Sequence, residues 1–323
     1  MYKYNYVFVG PKTEDIQIMY QGFSLNKFSN LVLVDPNIFT KQTKLFKLVW
    51  RIWKKMNLKY IDSIPFIYKR MNSAFVNLKD NLYCFIIYSR VYEDYGISII
   101  KYLKSKFPNC KTICYFGDLL STHPFLKDNL NQFDYIFTFD KQEALKYNFL
   151  FCQEPFSFDE SLLKKCKKKY DVTFVGAAKD RFPKIIEIYE KLKAHDCICD
   201  FHIFGVPKEN QLYADDIIYN SFMSFRELLY HVTESSCILE VLQDDAYSPT
   251  ARYAEAILYK KNLLTNCKAL QNDKRSNVFY FDLSRIDNID FEKIKNETAI
   301  DNLDDIELLS CKQMIKTISS FLE

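Results

Sequence analysis

The chain has 323 residues, of which 48% are hydrophobic and 26% charged, and it carries a net charge of +3. That length favours two domains over one core, the apolar share excludes wholesale disorder, and so small a charge leaves no electrostatic footprint for nucleic acid. Ten cysteines with no C-x-x-C pair and no metal-like Cys/His clustering read as buried thiols of a reducing cytoplasm. The opening "MYKYNYVFVG" enters a strand without a signal peptide, and no apolar stretch is long enough to span a bilayer, so an intracellular, non-spanning protein is expected.

In chain order, "YVFVG" reads as a first strand, ending at Gly10, and "NLVLVD" (Asn30 to Asp35) as a second. "KLFKLVWRIWKKMNLKY" (Lys44 to Tyr60) follows, then the strand "LYCFIIYS" (Leu82 to Ser89). "GISIIKYLKSKFP" reads as a helix stopped near Pro108, "KTICYFGD" as a strand ending at Gly117, and "FDYIFTFD" (Phe133 to Asp140) as another. A short helix in "KQEALKYN" and the exit segment "FLFCQEPFS" complete this half. Apolar strands separated by helix-length segments predict a parallel sheet with crossover helices.

The lysine-rich "LLKKCKKKYD" (Leu162 to Asp171) breaks the pattern and reads as a solvated linker. The alternation then restarts. "DVTFVG" is a strand ending at Gly176, "FPKIIEIYEKLKAHD" an amphipathic helix, and "CDFHIFG" a strand ending at Gly205. "SFRELLYHVTES" is a helix, "CILEVLQ" a strand, "TARYAEAILYK" a helix, "NLLTN" a strand and "DIELLSCKQMIKTISSFLE" a terminal helix. Residues 1–165 and 166–323 are thus expected to form two successive α/β domains, with the last helix packing back on the first. Four of the six glycines close an apolar strand in this way. In open parallel sheets ligands bind outside the carboxyl ends of strands, so Gly176 stands where a ligand could approach, although a plain tight turn explains the same letters.

"SPTARYAEAILYKKNLLTN" (Ser248 to Asn266) bears on that choice. Ser248 and Thr250 precede a helix whose N-terminus offers backbone N–H groups and a positive dipole end to phosphate oxygens. Arg252 adds a planar donor fork, and Glu255, one turn on, could accept from vicinal sugar hydroxyls. Arg181, with Lys179 behind it, could bring further positive charge from the Gly176 loop. The competing reading is local: Thr250 as a helix cap and Arg252–Glu255 as a surface pair worth a few tenths of a kcal/mol.

Taken together, "VTFVGAAKDR", "CILEVLQDDAYSPT", "RYAEAI" and "KKNLLTN" resemble, in order and spacing from Tyr170 to Leu283, the bacterial surface-polysaccharide glycosyltransferases of GT-B fold. The resemblance implies two Rossmann-like domains facing across a cleft, with the acceptor on the N-terminal side and the nucleotide-sugar donor on the C-terminal side. It implies that Gly176, Lys179, Arg181 and Arg252 line the donor diphosphate, that Ser248 and Thr250 lie close to it, and that Glu255 meets the ribose or sugar. It also implies a capsule or lipopolysaccharide context, with a UDP-sugar as default substrate and no further cofactor. Many retaining members carry a second Glu eight positions earlier; here that position is Tyr247, so the stereochemical course stays open.

No D-x-D motif ends a strand, and a metal-independent reaction is expected. An inverting reaction needs a base. Asp118 and His123 in "YFGDLLSTHPF" are the candidates, against a helix cap and an ordinary loop residue. Residues 44–60 place Phe46, Val49, Trp50, Trp53 and Met56 on one helical face and basic residues largely on another. That face suits docking of a peripheral protein at an anionic membrane bearing a lipid-linked acceptor, and equally suits a core-facing helix. An epimerase of the same fold and a non-catalytic nucleotide or glycan sensor are the rival functions. Arg252→Ala is expected to abolish donor binding and spare the fold.

Overall fold

A computed structural model describes residues 2–25, 27–34, 72–78, 82–157, 167–243, 246–282, 289–296 and 303–322. The basic aromatic segment 44–60 and the pair Asp244–Asp245 lie outside them. The chain divides into one unit of Met1–Ser157 with Ser310–Glu323, and a second of Phe158–Leu309.

The first unit runs β1 (Asn5–Pro11), α1 (Glu14–Met19), α2 (Gly22–Leu25), β2 (Ser29–Val34), β3 (Tyr83–Tyr88), α3 (Ser89–Tyr95), α4 (Ile97–Lys106), β4 (Lys111–Phe116), α5 (Pro124–Lys127), β5 (Tyr135–Thr138), α6 (Lys141–Tyr147) and β6 (Leu150–Phe151). Its strands are parallel, in the order β2-β1-β3-β4-β5-β6. Helices cover both faces of such a sheet, which is why its central strands read as continuous apolar runs. The core is aromatic: the Phe8 and Tyr20 rings stack with centroids 4.0 Å apart, and Phe85 packs between Phe75, Tyr83 and Phe107.

The second unit runs β7 (Tyr170–Ala177), α7 (Phe182–Ala194), β8 (Cys199–Phe204), β9 (Ile218–Tyr219), α8 (Phe225–Thr233), β10 (Ser235–Glu240), α9 (Ala251–Leu258), β11 (Asn262–Thr265), β12 (Val278–Tyr280), α10 (Phe291–Asn296) and α11 (Leu303–Leu308). Its parallel strands lie in the order β12-β11-β10-β7-β8-β9. The order reverses between β7 and β10, which makes that boundary the topological switch point of a doubly wound sheet. Strand alternation and register divide the sheet into unlike faces. Val172, Phe174, Phe201, Ile203 and Leu239 point to one face and join a core with Ile185, Ile188 and Leu192 of α7. Thr173, Asp200, His202, Glu240 and Thr265 occupy the other.

The helices start where the sequence places caps. α7 has Pro183 in its first turn, α8 has a full capping box between Ser224 and Glu227, and α9 is capped by Thr250. The terminal segment departs from expectation, being two helices rather than one. The chain breaks at Leu309–Ser310, where the Ser310 hydroxyl accepts from the Gln313 amide at 3.1 Å and starts α12 (Cys311–Leu322). α12 belongs to the first unit, where Phe321 meets Phe137 edge-on and Cys311 lies beside Gly22 and Ser157.

Candidate functional site

The switch point of the second unit is occupied by Arg181. Its Nε donates to the Ala177 carbonyl at 3.2 Å, at the end of β7, and its Nη1 donates to the Val241 carbonyl just past β10. One guanidinium therefore ties together the two strands between which the sheet reverses. The plane also sits over the Phe174 ring, 5.8 Å from its centroid. Gly176 makes room for this arrangement: a Cβ there would lie 3.2 Å from Arg181 Nη2 and 3.3 Å from Phe174 Cζ. Lys179, exposed in the same loop, holds φ at 49°, a left-handed conformation unusual for a residue with a side chain. Gly117 has another reason, since a Cβ there would come within 2.7 Å of Tyr88 Cζ. Gly205 has a third, a turn with φ of 79°.

Arg252 lies within electrostatic reach of Arg181. Burial pulls Arg181 below its ordinary range, and the neighbouring Arg252 charge pulls it further. Arg252 donates to Glu255 Oε2, and Glu255 is wholly buried, so this is not the surface pair that the sequence alone suggests. Glu255 Oε1 is buried without a hydrogen-bond partner. The carboxylate sits beneath the arginine, and a contact from it to a sugar would require it to leave that pair. Breaking a buried pair leaves an uncompensated charge, so Arg252→Ala is not the fold-neutral change expected from the sequence.

Below the arginines lies a residue that the sequence reading passed over. Glu240, the last residue of β10, is buried and accepts from the Thr250 amide at 2.8 Å, from Thr250 Oγ1 at 2.7 Å and from Thr265 Oγ1 at 2.6 Å. Burial raises its carboxyl, while those bonds and Arg252 oppose the rise. Thr250 Oγ1 also accepts from the Arg252 amide at 3.3 Å, so the cap of α9 is anchored to the sheet. Ser248 is buried in the same connection. A glutamate closing an otherwise apolar strand, "CILE", was the available signal.

In the first unit Asp118 is exposed just past β4. His123 is buried, with Nε2 3.1 Å from Ser89 Oγ, itself buried. Burial lowers its pKa, with Asp118 and Glu93 opposing. Glu154, read from sequence only as part of the chain leaving the domain, accepts from Tyr20 Oη at 2.9 Å. Its pKa is pushed up to about 8, mainly by burial, with Asp118 and Asp15 adding to the rise against the Tyr20 bond.

One further group is capable of holding a cation. Asp200 Oδ1 is 3.0 Å from His202 Nε2, and Oδ2 is 2.8 Å from His231 Nδ1. The sequence showed no Cys/His clustering because His231 arrives from a helix 29 residues after His202. The D-x-H spacing on a strand, which puts both side chains on one face, was the missed sign.

No family model matches the chain, and no curated protein matches its sequence. Solved structures do match its fold. An alpha-glucosyltransferase in complex with UDP and a 13-mer DNA containing a central A:G mismatch superposes with a TM-score of 0.53 and 15% identity, over 98% of this chain and 94% of that one. An alpha-glucosyltransferase in complex with UDP-glucose and DNA containing an abasic site gives 0.54 and 12%, over 98% and 93%. A trehalose-6-phosphate protein from E. coli bound with UDP-2-fluoro glucose aligns at 0.47 and 11%, over 97% and 96%. At such identities the likeness is one of fold: two parallel six-stranded α/β units, as in glycosyltransferases of GT-B type.

Proposed function

We propose that the protein is a glycosyltransferase that moves a sugar from a nucleotide-sugar donor, by default a UDP-sugar, to a glycan or lipid-linked acceptor in surface-polysaccharide synthesis. The observation that carries the reading is the pairing of Arg181 and Arg252 at the switch point of the second unit. The charge of Arg252 adds to the lowering of Arg181, a like-charge arrangement that favours an anion nearby, and the carboxyl ends of β7 and β10 are where a doubly wound sheet receives its ligand. The neighbours with TM-scores above 0.5 bind UDP or UDP-glucose, which supports the choice of nucleotide.

In this reading Arg181, Arg252 and the exposed Lys179 neutralise the diphosphate as it leaves, the step in which charge develops. Gly176 keeps the approach open. Ser248 and Thr250 shape the loop at the N-terminus of α9, and Glu255 holds Arg252 from below. Guanidiniums perform this work without a metal. Asp118, exposed past β4, is the base that an inverting reaction would use, and His123 would have to leave Ser89 to serve. Docking at a membrane would fall to residues 44–60.

Thermal shift with UDP, GDP, CMP and dTDP tests the donor site. A nucleotide at a hundred times its dissociation constant stabilises the fold by about 2.7 kcal/mol, a rise of roughly 5–11 °C for a domain of this size. One nucleotide raising the midpoint, with turnover of its sugar conjugate, is the expected result. No shift with any of the four would remove the reading.

A further inference from the structure

Asp200 and His202 point to one face of the sheet, and His231, on α8, meets them there. We propose that Asp200, His202 and His231 form a binding site for one divalent transition-metal ion, zinc foremost, separate from the donor site. One ligand atom from each residue lies within 4.8 Å of the other two. Zinc bonded to nitrogen and oxygen at about 2.0–2.1 Å holds neighbouring ligand atoms about 3.3 Å apart. Small side-chain rotations reach that spacing from the 4.8 Å that encloses these atoms, each histidine already lying at 3.0 or 2.8 Å from one of the two Asp200 oxygens. Two imidazoles and a carboxylate are the donor set that zinc and its neighbours in the first row accept.

The surroundings suit a held ion. Thr173 Oγ1 lies 3.1 Å from Asp200 Oδ2 and 3.1 Å from the Asp200 carbonyl oxygen, fixing the carboxylate as an outer hydrogen bond fixes a ligand. His202 is 5% exposed, and its Nδ1 is buried without a partner. Only Nε2 orients that ring through a hydrogen bond, and Nε2 is directed at the shared carboxylate. The His231 side chain is 26% exposed, which gives an ion a way in and a water a place to complete the coordination. Binding asks each imidazole to present a lone pair where it now faces the carboxylate with N–H; the proton moves to the far ring nitrogen or leaves to water.

The register sets this site apart from the arginines. Asp200 pairs with Thr173, three residues before Gly176, or roughly 10 Å down the strand. An ion there would brace β8 against α8, and the assignment does not rest on the transfer reaction.

The full chain, reduced and stripped with a chelator, is titrated with Co²⁺ while visible absorption is recorded, and with Zn²⁺ while the thermal midpoint is followed. The expected result is one equivalent bound, ligand-field bands without a thiolate-to-cobalt charge-transfer band, and a midpoint raised by about 5–11 °C with free metal at about a hundred times its dissociation constant. His231→Gln, at the partly exposed position, is expected to stay folded and to weaken binding about a hundredfold; His202→Gln should weaken it as much and, at a buried position, also lower the metal-free midpoint. No uptake by the wild-type chain would overturn the site and leave a hydrogen-bonded triad. A charge-transfer band would assign the metal to cysteines, and full affinity in both variants would place it away from this triad; either overturns the site.

Discussion

Gly176 and Gly117 close similar strands yet are glycines for different reasons, and substitution separates them. At Gly176 an added methyl meets Arg181 Nη2 at 3.2 Å and the rim of the Phe174 ring at 3.3 Å, contacts that a shift of a few tenths of an ångström relieves. Gly176→Ala is expected to cost less than about 1 kcal/mol in urea unfolding, yet to weaken the nucleotide that shifts the midpoint at least about tenfold. At Gly117 the methyl meets the buried Tyr88 ring, so Gly117→Ala should cost about 1–3 kcal/mol and leave nucleotide affinity unchanged. Equal affinity in the Gly176 variant would show that the guanidinium position is immaterial to binding. For Arg252, a cycle is more informative than one truncation. Arg252→Met should cost about 3–5 kcal/mol by stranding the Glu255 charge, and adding Glu255→Met should recover most of it. Donor binding should be lost in both, which separates the arginine's role in the fold from its role in the site.

At the scale of elements, Thr250 joins two structures that the sequence presents as unrelated. It caps α9 and donates to Glu240 at the end of β10. Thr250→Ala removes the cap and a donor to a buried carboxylate, and a loss of about 1–3 kcal/mol is expected. Thr250→Ser keeps the hydroxyl and should unfold within about 0.5 kcal/mol of the parent; an equal loss in both variants would point to the methyl group instead. The strand pattern was legible because buried parallel strands are continuous apolar runs, and their turns fall on scarce glycines. β9 and β12 escaped because two or three residues carry no period. Glu240 and the Asp200–His202 pair escaped because a few polar residues on one buried face hardly disturb an apolar run. Their partners, Thr250, Thr265 and His231, are distant in sequence and close only in the fold.

At the scale of the whole molecule, Glu154 gives stability a pH dependence. Its pKa is raised to about 8 in the folded state. Between the ordinary carboxylate range and pH 8 the folded chain holds a proton that the unfolded chain has released, so stability falls as pH rises through that window. Glu154→Gln should remove at least half of the fall in thermal midpoint between about pH 5 and pH 8; an unchanged profile would exclude Glu154 as its source. The sequence conveyed the two-part α/β plan and the run of candidate residues. It could not convey that Glu255 is buried beneath Arg252, since exposure is a property of packing rather than of spacing.

The return of α12 to the first unit makes the second an insertion between Ser157 and Ser310, entered and left through the seam at Gly22, Ser157 and Cys311. Residues 158–309 are one continuous stretch and can be expressed as a single polypeptide. The first unit has no such continuous gene. Cut at Leu309, it loses the helix that covers Gly22, and a synthetic 310–323 peptide supplied in trans would be the piece that restores it. A split protein reporter therefore has a natural cleavage point here, at a joint the fold has already made.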